Sequence, residues 1–243
     1  SFLYSMACIR KNIHVLCEKP LTLNASESMI LINAAIKKKV FLMEAFMYRC
    51  HPQTFKILEL VEKYFIGKRV KIKSSFGFTT DVSKEHRLRN PNLAGGAILD
   101  VGCYPLSMAR LISGKLNRMD FADPTDISIE GELDETGVDA KSTAILDFTD
   151  EISAEIKTAI HEEFENNLII ESDDLCLEVS DPWHCGQFNE GKSVIKFTNE
   201  GTEEKIEIND EVGLFTREID EAANCIEQGR IESPKMTHKD LSL

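Results

Sequence analysis

The chain has 243 residues, of which 42% are hydrophobic and 28% charged, a composition typical of a soluble globular protein with one large or two small domains. Its formal net charge of −13 argues against nucleic acids and membrane surfaces as partners, because both attract clustered Lys and Arg. No stretch approaches the roughly 18–20 apolar residues of a membrane span, and no signal-peptide pattern opens the chain. The histidines and cysteines show neither metal-ligand nor disulfide-framework spacing, so we expect no metal and a cytoplasmic protein.

The first fifty residues alternate between helical and strand patterns. Apolar residues at helical spacing predict a helix over residues 2–11, and His14–Cys17 follows as a short buried strand. Asn24, with an acidic residue three positions on, predicts the start of a helix that runs to Lys39, and Val40–Met43 is a second short strand. Helix and strand alternating at such short spacings are typical of a parallel sheet covered by helices.

The pattern changes after a further helix that opens at His51-Pro52. Beyond Gly67 the apolar residues alternate with a period of two, which predicts half-exposed strands of a large open, mainly antiparallel sheet. The strand candidates are Val70–Phe78, 127–131, 144–148, 152–156, Leu168–Glu171, Leu175–Val179, Ser193–Phe197 and Lys205–Ile208, before a closing helix around residues 215–226. We therefore predict an α/β protein in which residues 1–50 form part of a parallel-sheet domain and residues 51–243 an α+β domain.

The first candidate site is Cys17-Glu18-Lys19-Pro20, at the carboxyl end of a predicted parallel strand. Open α/β sheets place ligand-contacting residues at this end of their strands. The following Pro20 restricts the backbone of Lys19, and Glu18 lies beside it to influence its charge. A solvated surface turn with an ion pair is an equally good interpretation of these residues alone.

The second candidate site is the run from Gly95-Gly96 through Asp100 to Tyr104-Pro105. Paired glycines permit close backbone approach, and Pro105 suits the first turn of a helix. If that helix begins near Asp100, then Asp100 and Tyr104 lie four apart on one face and form a candidate proton-transfer pair. The alternative is that Asp100 caps the helix while Tyr104 packs in the core.

In combination these motifs resemble one family. Glu18-Lys19-Pro20, Glu44–Arg49, His51-Pro52, Phe76–Phe78 and Leu99–Pro105 are similar, in order and spacing, to the glucose-fructose oxidoreductase and inositol dehydrogenase (Gfo/Idh/MocA) family. Within it they most resemble the branch of dimeric dihydrodiol dehydrogenase and D-xylose dehydrogenase. Many members have His where Tyr104 stands, and the tyrosine favours that branch.

The resemblance implies a Rossmann domain, a second domain with an open mixed sheet, and NADP or NAD as cofactor. It assigns catalysis to Lys19 and Tyr104, and the spacing adds Asp100 as the partner of Tyr104. We expect Glu18, Lys19, Pro20 and Arg49 to contact the cofactor, with substrate as the alternative contact of Arg49. The phenol has an ordinary pKa of about 10, so a nearby cation such as Lys19 is needed for it to accept a proton near neutrality. The implied reaction is hydride transfer at an alcohol or carbonyl of a sugar, polyol or trans-dihydrodiol.

One part of the family pattern is missing from the chain. The resemblance places a Gly-rich phosphate loop before residue 1, and no G-x-G-x-x-G occurs in the sequence. We therefore expect an N-terminally truncated fragment that has lost most of its grip on the dinucleotide and is inactive on its own.

Two other functions compete with the enzyme. A non-catalytic dinucleotide-binding regulator of the same fold is expected to lose the lysine or the proton donor, so the presence of Lys19 and Tyr104 favours catalysis. An interaction protein built on the large sheet requires a partner over the open sheet face. Relatives dimerise through this face, which implies a homodimer in which Val70, Ile72 and neighbouring strand faces are covered. His86, Arg87, Trp183 and His184 are weaker candidates for substrate contact.

Overall fold

The computed structural model describes residues 1–241 and divides the chain into two compact units. The first unit contains Ser1–His51 together with the residues from Glu211 onward, and the second contains Pro52–Asp210. The first division lies next to the boundary predicted at residue 50. The closing segment differs from the prediction, because the sequence analysis assigned it to the second domain and the structure joins it to the first.

The helices and strands follow the predicted order. The α-helices are α1 (Phe2–Arg10), α2 (Ala25–Lys38), α3 (Pro52–Tyr64), α4 (Cys103–Leu116) and α5 (Leu214–Glu227). The strands are β1 (Val15–Glu18), β2 (Leu42–Ala45), β3 (Val70–Gly77), β4 (Asp126–Leu133), β5 (Asp139–Thr149), β6 (Ile152–Ala159), β7 (Leu168–Glu171), β8 (Leu175–Val179), β9 (Lys192–Asn199) and β10 (Thr202–Asn209). Short helical turns cover Met47–Cys50 and Pro91–Leu93, and a π-helical turn covers Ile98–Gly102.

The first unit is built on a parallel pair of strands. β1 and β2 pair directly, with Cys17 opposite Glu44, so their carboxyl ends lie at the same edge. The predicted cap of α2 is confirmed, because Oδ1 of Asn24 accepts the backbone N–H of Glu27 at 3.0 Å. The expected helix and strand alternation around a parallel sheet is confirmed.

The closing segment belongs to the first unit because it bonds to β2. The backbone N–H of Leu42 donates to the carbonyl of Ile231 at 3.0 Å. Nε2 of His238 donates to the carbonyl of Leu42 at 3.2 Å. These bonds satisfy main-chain groups of β2. Because they join residues far apart in the chain, the local sequence pattern of the closing segment could not assign it to the first unit.

The second unit is an eight-stranded sheet with the strand order β10-β9-β8-β7-β3-β6-β5-β4. Its β3–β6 pair is parallel, and the other neighbouring strands run antiparallel. The prediction of a large, mainly antiparallel sheet is confirmed. The period-two alternation that predicted it arises because one face packs against α4, which contacts β3 and β6.

The two faces of this sheet differ in polarity. Val70 and Ile72 point to the helix-covered face and are buried within their own unit, so their burial needs no partner subunit. The opposite face, called the open face below, carries ion pairs between neighbouring strands. They join Lys71 to Glu155 at 3.1 Å and Lys73 to Glu171 at 2.5 Å. Within residues 1–241, none of the helices has the length and hydropathy needed to cross a membrane.

Candidate functional site

The turn that follows β1 carries the predicted Glu18-Lys19-Pro20 group. β1 ends at Glu18, and the Lys19–Pro20 peptide bond is cis. Leu21 then returns the chain to the interior, where it is buried. The structure therefore places Lys19 at the carboxyl end of a parallel strand, as predicted, which is the end where open α/β sheets bind ligands.

Glu44 holds this turn from the neighbouring strand. Its Oε1 accepts the backbone N–H of Leu21 at 2.6 Å, and its side chain is buried. Burial raises the pKa of the Glu44 carboxyl to about 7, although the Leu21 amide and the charge of Lys19 both pull it down. Glu44 belongs to one of the motifs that resemble the family, but no role was predicted for it. An acid within an otherwise apolar strand was the available signal.

Arg49 fastens the closing segment to the residues after β2. Its Nε donates to the carbonyl of Lys235 at 3.0 Å, and its Nη2 lies 3.2 Å from Oδ1 of Asp240. Oδ2 of Asp240 in turn accepts the backbone N–H of Thr237 at 2.8 Å. Arg49 and Asp240 are both buried, so the pair is a structural contact of the first unit. A cofactor contact of Arg49 remains a prediction.

A second buried acid lies beside the same turn. Glu218 on α5 is 4% exposed, and its Oε2 has no hydrogen-bond partner among residues 1–241. Burial, and secondly the negative charge of Glu18, raises the pKa of the Glu218 carboxyl to about 7. Glu218 was not predicted as a site residue, because the sequence pattern placed α5 in the other domain.

In the second unit, Tyr104 belongs to an aromatic cluster. It lies in the first turn of α4, and its ring meets Phe76 edge-on with centroids 5.2 Å apart. Trp183 stacks on Phe76 at 5.9 Å and meets Tyr104 at 6.1 Å. Nε1 of Trp183 donates to the carbonyl of Ser75 at 2.8 Å. The predicted proton donor is therefore held by rings whose own positions are set by β3.

The loop that carries Trp183 is held by a carboxylate. Asp181 accepts the backbone N–H of His184 at 3.1 Å and that of Gly186 at 2.7 Å. Trp183 is fully buried, so it anchors this loop by packing. His184 lies edge-on to Phe76 with centroids 5.7 Å apart, so it extends the aromatic cluster.

The helical turn before α4 is attached to the sheet by two bonds. Oδ2 of Asp139 accepts the backbone N–H of Ile98 at 2.6 Å, and Oγ1 of Thr158 donates to the carbonyl of Ala97 at 3.1 Å. Gly96 has a φ of +116°, and a Cβ built there would overlap Oδ1 of Asp139. The second glycine of the predicted site is therefore required by this attachment.

Asp100 lies in the π-helical turn, whereas Tyr104 lies in the α-helix that follows. The helix expected near Asp100 therefore begins with π geometry, a local form that often marks functional sites. Oδ1 of Asp100 accepts a bond from Nη1 of Arg87 at 2.9 Å, and the arginine is exposed. The structure thus joins the loop candidate Arg87 to Asp100. Nδ1 of His86 accepts the backbone N–H of Leu88 at 3.3 Å.

The predicted site residues fall into both units. Glu18, Lys19, Pro20 and Arg49 belong to the first, and Asp100 and Tyr104 to the second. Within residues 1–241, no group of three or more His, Cys, Asp and Glu side chains is arranged to hold a metal ion.

Two family models match the chain, and they meet near the division between the units. The model of the GFO/IDH/MocA C-terminal domain matches residues 55–179. The model of the oxidoreductase family with an NAD-binding Rossmann fold matches residues 2–46.

Curated relatives align with nearly the whole chain. D-xylose 1-dehydrogenase (NADP(+)) 2 of Haloferax volcanii is 30% identical over 236 residues, which cover 96% of this chain and 68% of the relative. Trans-1,2-dihydrobenzene-1,2-diol dehydrogenase of Xenopus tropicalis is 29% identical over 97% of this chain and 69% of its own length.

Solved structures share the fold at lower identity. Aldose-aldose oxidoreductase of Caulobacter crescentus, complexed with glycerol, superposes with a TM-score of 0.84 at 21% identity, covering 99% of this chain and 69% of that one. The 3-ketoreductase KijD10 of Actinomadura kijaniata, with NADP and TDP-benzene, gives 0.82 at 21% identity, covering 99% and 70%.

The attachment of the π-helical turn leads to a prediction for Gly96→Ala. This change adds a clash with Asp139 to the cost of a positive φ, so we expect the free energy of unfolding to fall by about 2–4 kcal/mol. Urea unfolding followed by circular dichroism measures the loss. Gly67→Ala is the matched control, because Gly67 has a φ of +79° with no atom within 4 Å of an added Cβ. It should cost about 1–2 kcal/mol from the backbone alone, and equal losses in both variants would refute the clash.

The buried acid on α5 predicts a dependence of stability on pH. The pKa of Glu218 is about 7 in the folded protein against an ordinary value of 4.5, so the folded state binds the proton more tightly. Stability from this group is present below about pH 4.5 and is lost as the pH rises to about 7. The difference in free energy of unfolding between Glu218→Gln and the wild type should therefore be about 2–3 kcal/mol more favourable to the variant at pH 8 than at pH 5.

Urea unfolding of the wild type and the variant at the two pH values tests this expectation. Glu227→Gln, at the exposed end of the same helix, is the matched control and should leave the difference between the two pH values unchanged. A Glu218→Gln variant with the pH dependence of the wild type would show that this carboxyl does not titrate as stated.

Proposed function

Because the chain belongs to the Gfo/Idh/MocA family of NAD(P)-binding oxidoreductases, we propose that it transfers a hydride between a nicotinamide cofactor and an alcohol or carbonyl of a sugar, polyol or trans-dihydrodiol. The observation that carries the proposal is the similarity to a D-xylose dehydrogenase and a dihydrodiol dehydrogenase over nearly the whole chain. NADP is the favoured cofactor, since the name of the Haloferax volcanii relative includes NADP(+).

The side chains of the first unit suit the nicotinamide end of such a cofactor. Glu18, Lys19 and Pro20 lie at the carboxyl end of β1, and the buried carboxyl of Glu44 fixes the backbone after them. Glu18, Lys19 and Pro20 would contact the cofactor there, and Arg49 is proposed as a further contact of the cofactor or the substrate. When bound, the nicotinamide supplies the acceptor or donor of the hydride.

Tyr104 is the proposed proton acceptor and donor. Oxidation of an alcohol removes a proton as well as a hydride, and a positioned phenol can take that proton. The contacts of Tyr104 with Phe76 and Trp183 restrict its ring, so that the hydroxyl group keeps one direction. In the reverse reaction the same phenol returns the proton to the carbonyl oxygen.

Lys19 and Asp100 are proposed to adjust this proton transfer. A cation stabilises a phenolate by charge attraction, and the ammonium group of Lys19 is the proposed cation. Asp100 would orient the polar groups at the start of the helix, since its carboxylate is already bonded to the exposed Arg87. Because these residues act on the same proton transfer, we expect the losses of kcat in their single variants not to add in a double variant.

We expect Lys19→Ala and Tyr104→Phe each to lower kcat by at least about a hundredfold, because each removes a group used in proton transfer. The measurement is reduction of NADP and of NAD by the full gene product, with D-xylose, D-glucose and a trans-dihydrodiol as substrates. Lys56→Ala and Tyr64→Phe, in α3, are the matched controls for loss of an amine and of a phenolic hydroxyl, and should keep the activity of the wild type.

Two outcomes would contradict this assignment. Retention of activity in Lys19→Ala or Tyr104→Phe would remove that residue from the mechanism. A wild-type protein that binds the dinucleotide but oxidises none of the substrates would favour a regulatory protein of the same fold.

We also propose that the protein is cytoplasmic, because its seven cysteines form no disulfide bonds with one another, as is usual in a reducing compartment.

We further propose a homodimer that forms through the open face of the eight-stranded sheet. The open face alternates Lys and Glu, as in the pairs Lys71–Glu155 and Lys73–Glu171. A surface with both charges interspersed can match a second copy of itself across a two-fold axis. Ile145 adds an apolar group, 36% exposed, at the register position of Glu155.

Ile145→Glu should dissociate this dimer, because it places an uncompensated charge in the contact. Light scattering coupled to size exclusion measures the mass of the wild type and the variant. Ile129→Glu is the control, since Ile129 is exposed on the neighbouring edge strand but pairs with Ala144 and so points to the opposite face. A wild-type monomer, or equal dissociation by both variants, would rule out the open face as the contact.

A further inference from the structure

The turn that carries Lys19 is held by a side chain from another strand. Leu21, two residues after Lys19, is 2% exposed, and its backbone N–H donates to Oε1 of Glu44 at 2.6 Å. The two residues are 23 positions apart in the chain. A main-chain amide that donates to a buried carboxyl oxygen makes a stronger bond than it would in water, because the surroundings screen the interaction less.

The position of Glu44 follows from the strand register. Glu44 pairs with Cys17 across the parallel strands, so its carboxyl lies beside the turn that begins two residues after Cys17. All four residues of β2 are buried. An apolar residue would be favoured at such a position on burial alone, and a carboxyl there is costly unless it makes a specific bond.

Charged groups of both signs lie near the Glu44 carboxyl. Lys19 and Arg49 are the cations that act on it, and Asp240 is the nearby anion. Arg49 and Asp240 bond to each other at 3.2 Å, and the Glu44 carboxyl accepts the Leu21 amide at 2.6 Å. Burial raises the pKa of Glu44, and the charge of Lys19 opposes that rise, so the carboxyl and the ammonium group attract each other electrostatically.

We propose that Glu44 is a positioning residue for Lys19: by accepting the Leu21 amide it fixes the backbone of the Lys19–Pro20 turn and hence the place of the lysine ammonium. The inference rests on the proposed function, because it concerns the lysine of that reaction. Glu44 itself contacts neither substrate nor cofactor in this scheme. It acts through the main chain, where a displacement of about 1 Å can cost a hundredfold in rate.

The test compares Glu44→Ala, which removes the acceptor, with Glu44→Gln, which keeps an amide oxygen of the same reach. Glu44→Ala should lower kcat by about thirty- to a hundredfold while KM changes less than about threefold, because orientation is lost and binding is kept. Glu44→Gln should restore kcat to within about fivefold of the wild type, since the bond to the Leu21 amide is retained. The enzyme assayed is the full gene product.

A second measurement is independent of activity. Amide hydrogen exchange in the absence of cofactor should show the Leu21 N–H exchanging at least about tenfold faster in Glu44→Ala and within about threefold of the wild type in Glu44→Gln. This readout also covers the case in which Glu44→Ala unfolds, because Glu44→Gln is isosteric and still reports on the bond.

Glu27→Ala is the matched control. Its Oε2 accepts the backbone N–H of Leu23 at 3.3 Å, only two residues beyond Leu21, but the bond is exposed. Loss of this acceptor should leave kcat unchanged. Equal losses of kcat in Glu27→Ala and Glu44→Ala would attribute the effect to general loosening of the segment and overturn the inference.

The remaining outcomes separate this inference from the proposed function. Unchanged Leu21 exchange in Glu44→Ala, or a Glu44→Gln enzyme as slow as Glu44→Ala, would refute positioning through the amide. A wild-type protein without oxidoreductase activity would refute the proposed function, whereas the exchange data would still decide whether Glu44 fixes the turn.

Discussion

The parallel register of β1 and β2 is the constraint on which the first unit depends. Because Cys17 pairs with Glu44, the two strands end at one edge, and the turn with Lys19 meets the carboxyl that bonds to it. A slip of one residue would send the side chain of Glu44 to the other face of the sheet. The turn, the following Arg49 and the closing segment bonded to Leu42 all take their positions from this one alignment.

The second unit meets a different requirement, which is to hold a phenol at the start of a helix. The first turns of a helix have unsatisfied backbone N–H groups, and here the carboxylate of Asp139 accepts one of them. The same carboxylate leaves room only for glycine at position 96. Aromatic packing with Phe76 and Trp183 then restricts the ring of Tyr104. Strands β3 and β5 supply Phe76 and Asp139, and the loop residue Trp183 is bonded to β3 through the carbonyl of Ser75, so the sheet positions the tyrosine.

Much of the local structure could be predicted because it follows from local patterns. The bounds of β7 and β8 match those read from alternating residues, and the cap of α2 was visible at Asn24. Strand β2 begins at Leu42, two residues after the predicted start at Val40. The prediction started too early because Val40 and Phe41 are as buried as the strand, and hydropathy does not distinguish them from it.

The supporting groups of the site could not be predicted in this way. Lys19 and Tyr104 stood out because they lie in motifs. Glu44 and Asp139 instead act on residues 23 and 41 positions away, where no helical or strand period applies. The π-helical turn at Ile98 donates its first amide to Asp139, which is 41 positions away, so a start at Asp100 or Pro105 was the reasonable expectation from the local sequence.

The assignment of the closing segment to the first unit has a consequence for the order of folding. The second unit is one continuous stretch, Pro52–Asp210, whereas the first is completed by residues from both sides of it. The bond between Arg49 and Asp240 joins residues 191 positions apart, so it forms only after the closing segment has been synthesised. During synthesis the inserted unit can therefore form while its host is unfinished, and α5 with the segment after it closes the host last. The entropic cost of bringing the two parts of the first unit together rises only with the logarithm of the number of residues between them. Prior folding of the second unit lowers this cost, because the folded unit acts as a shorter loop.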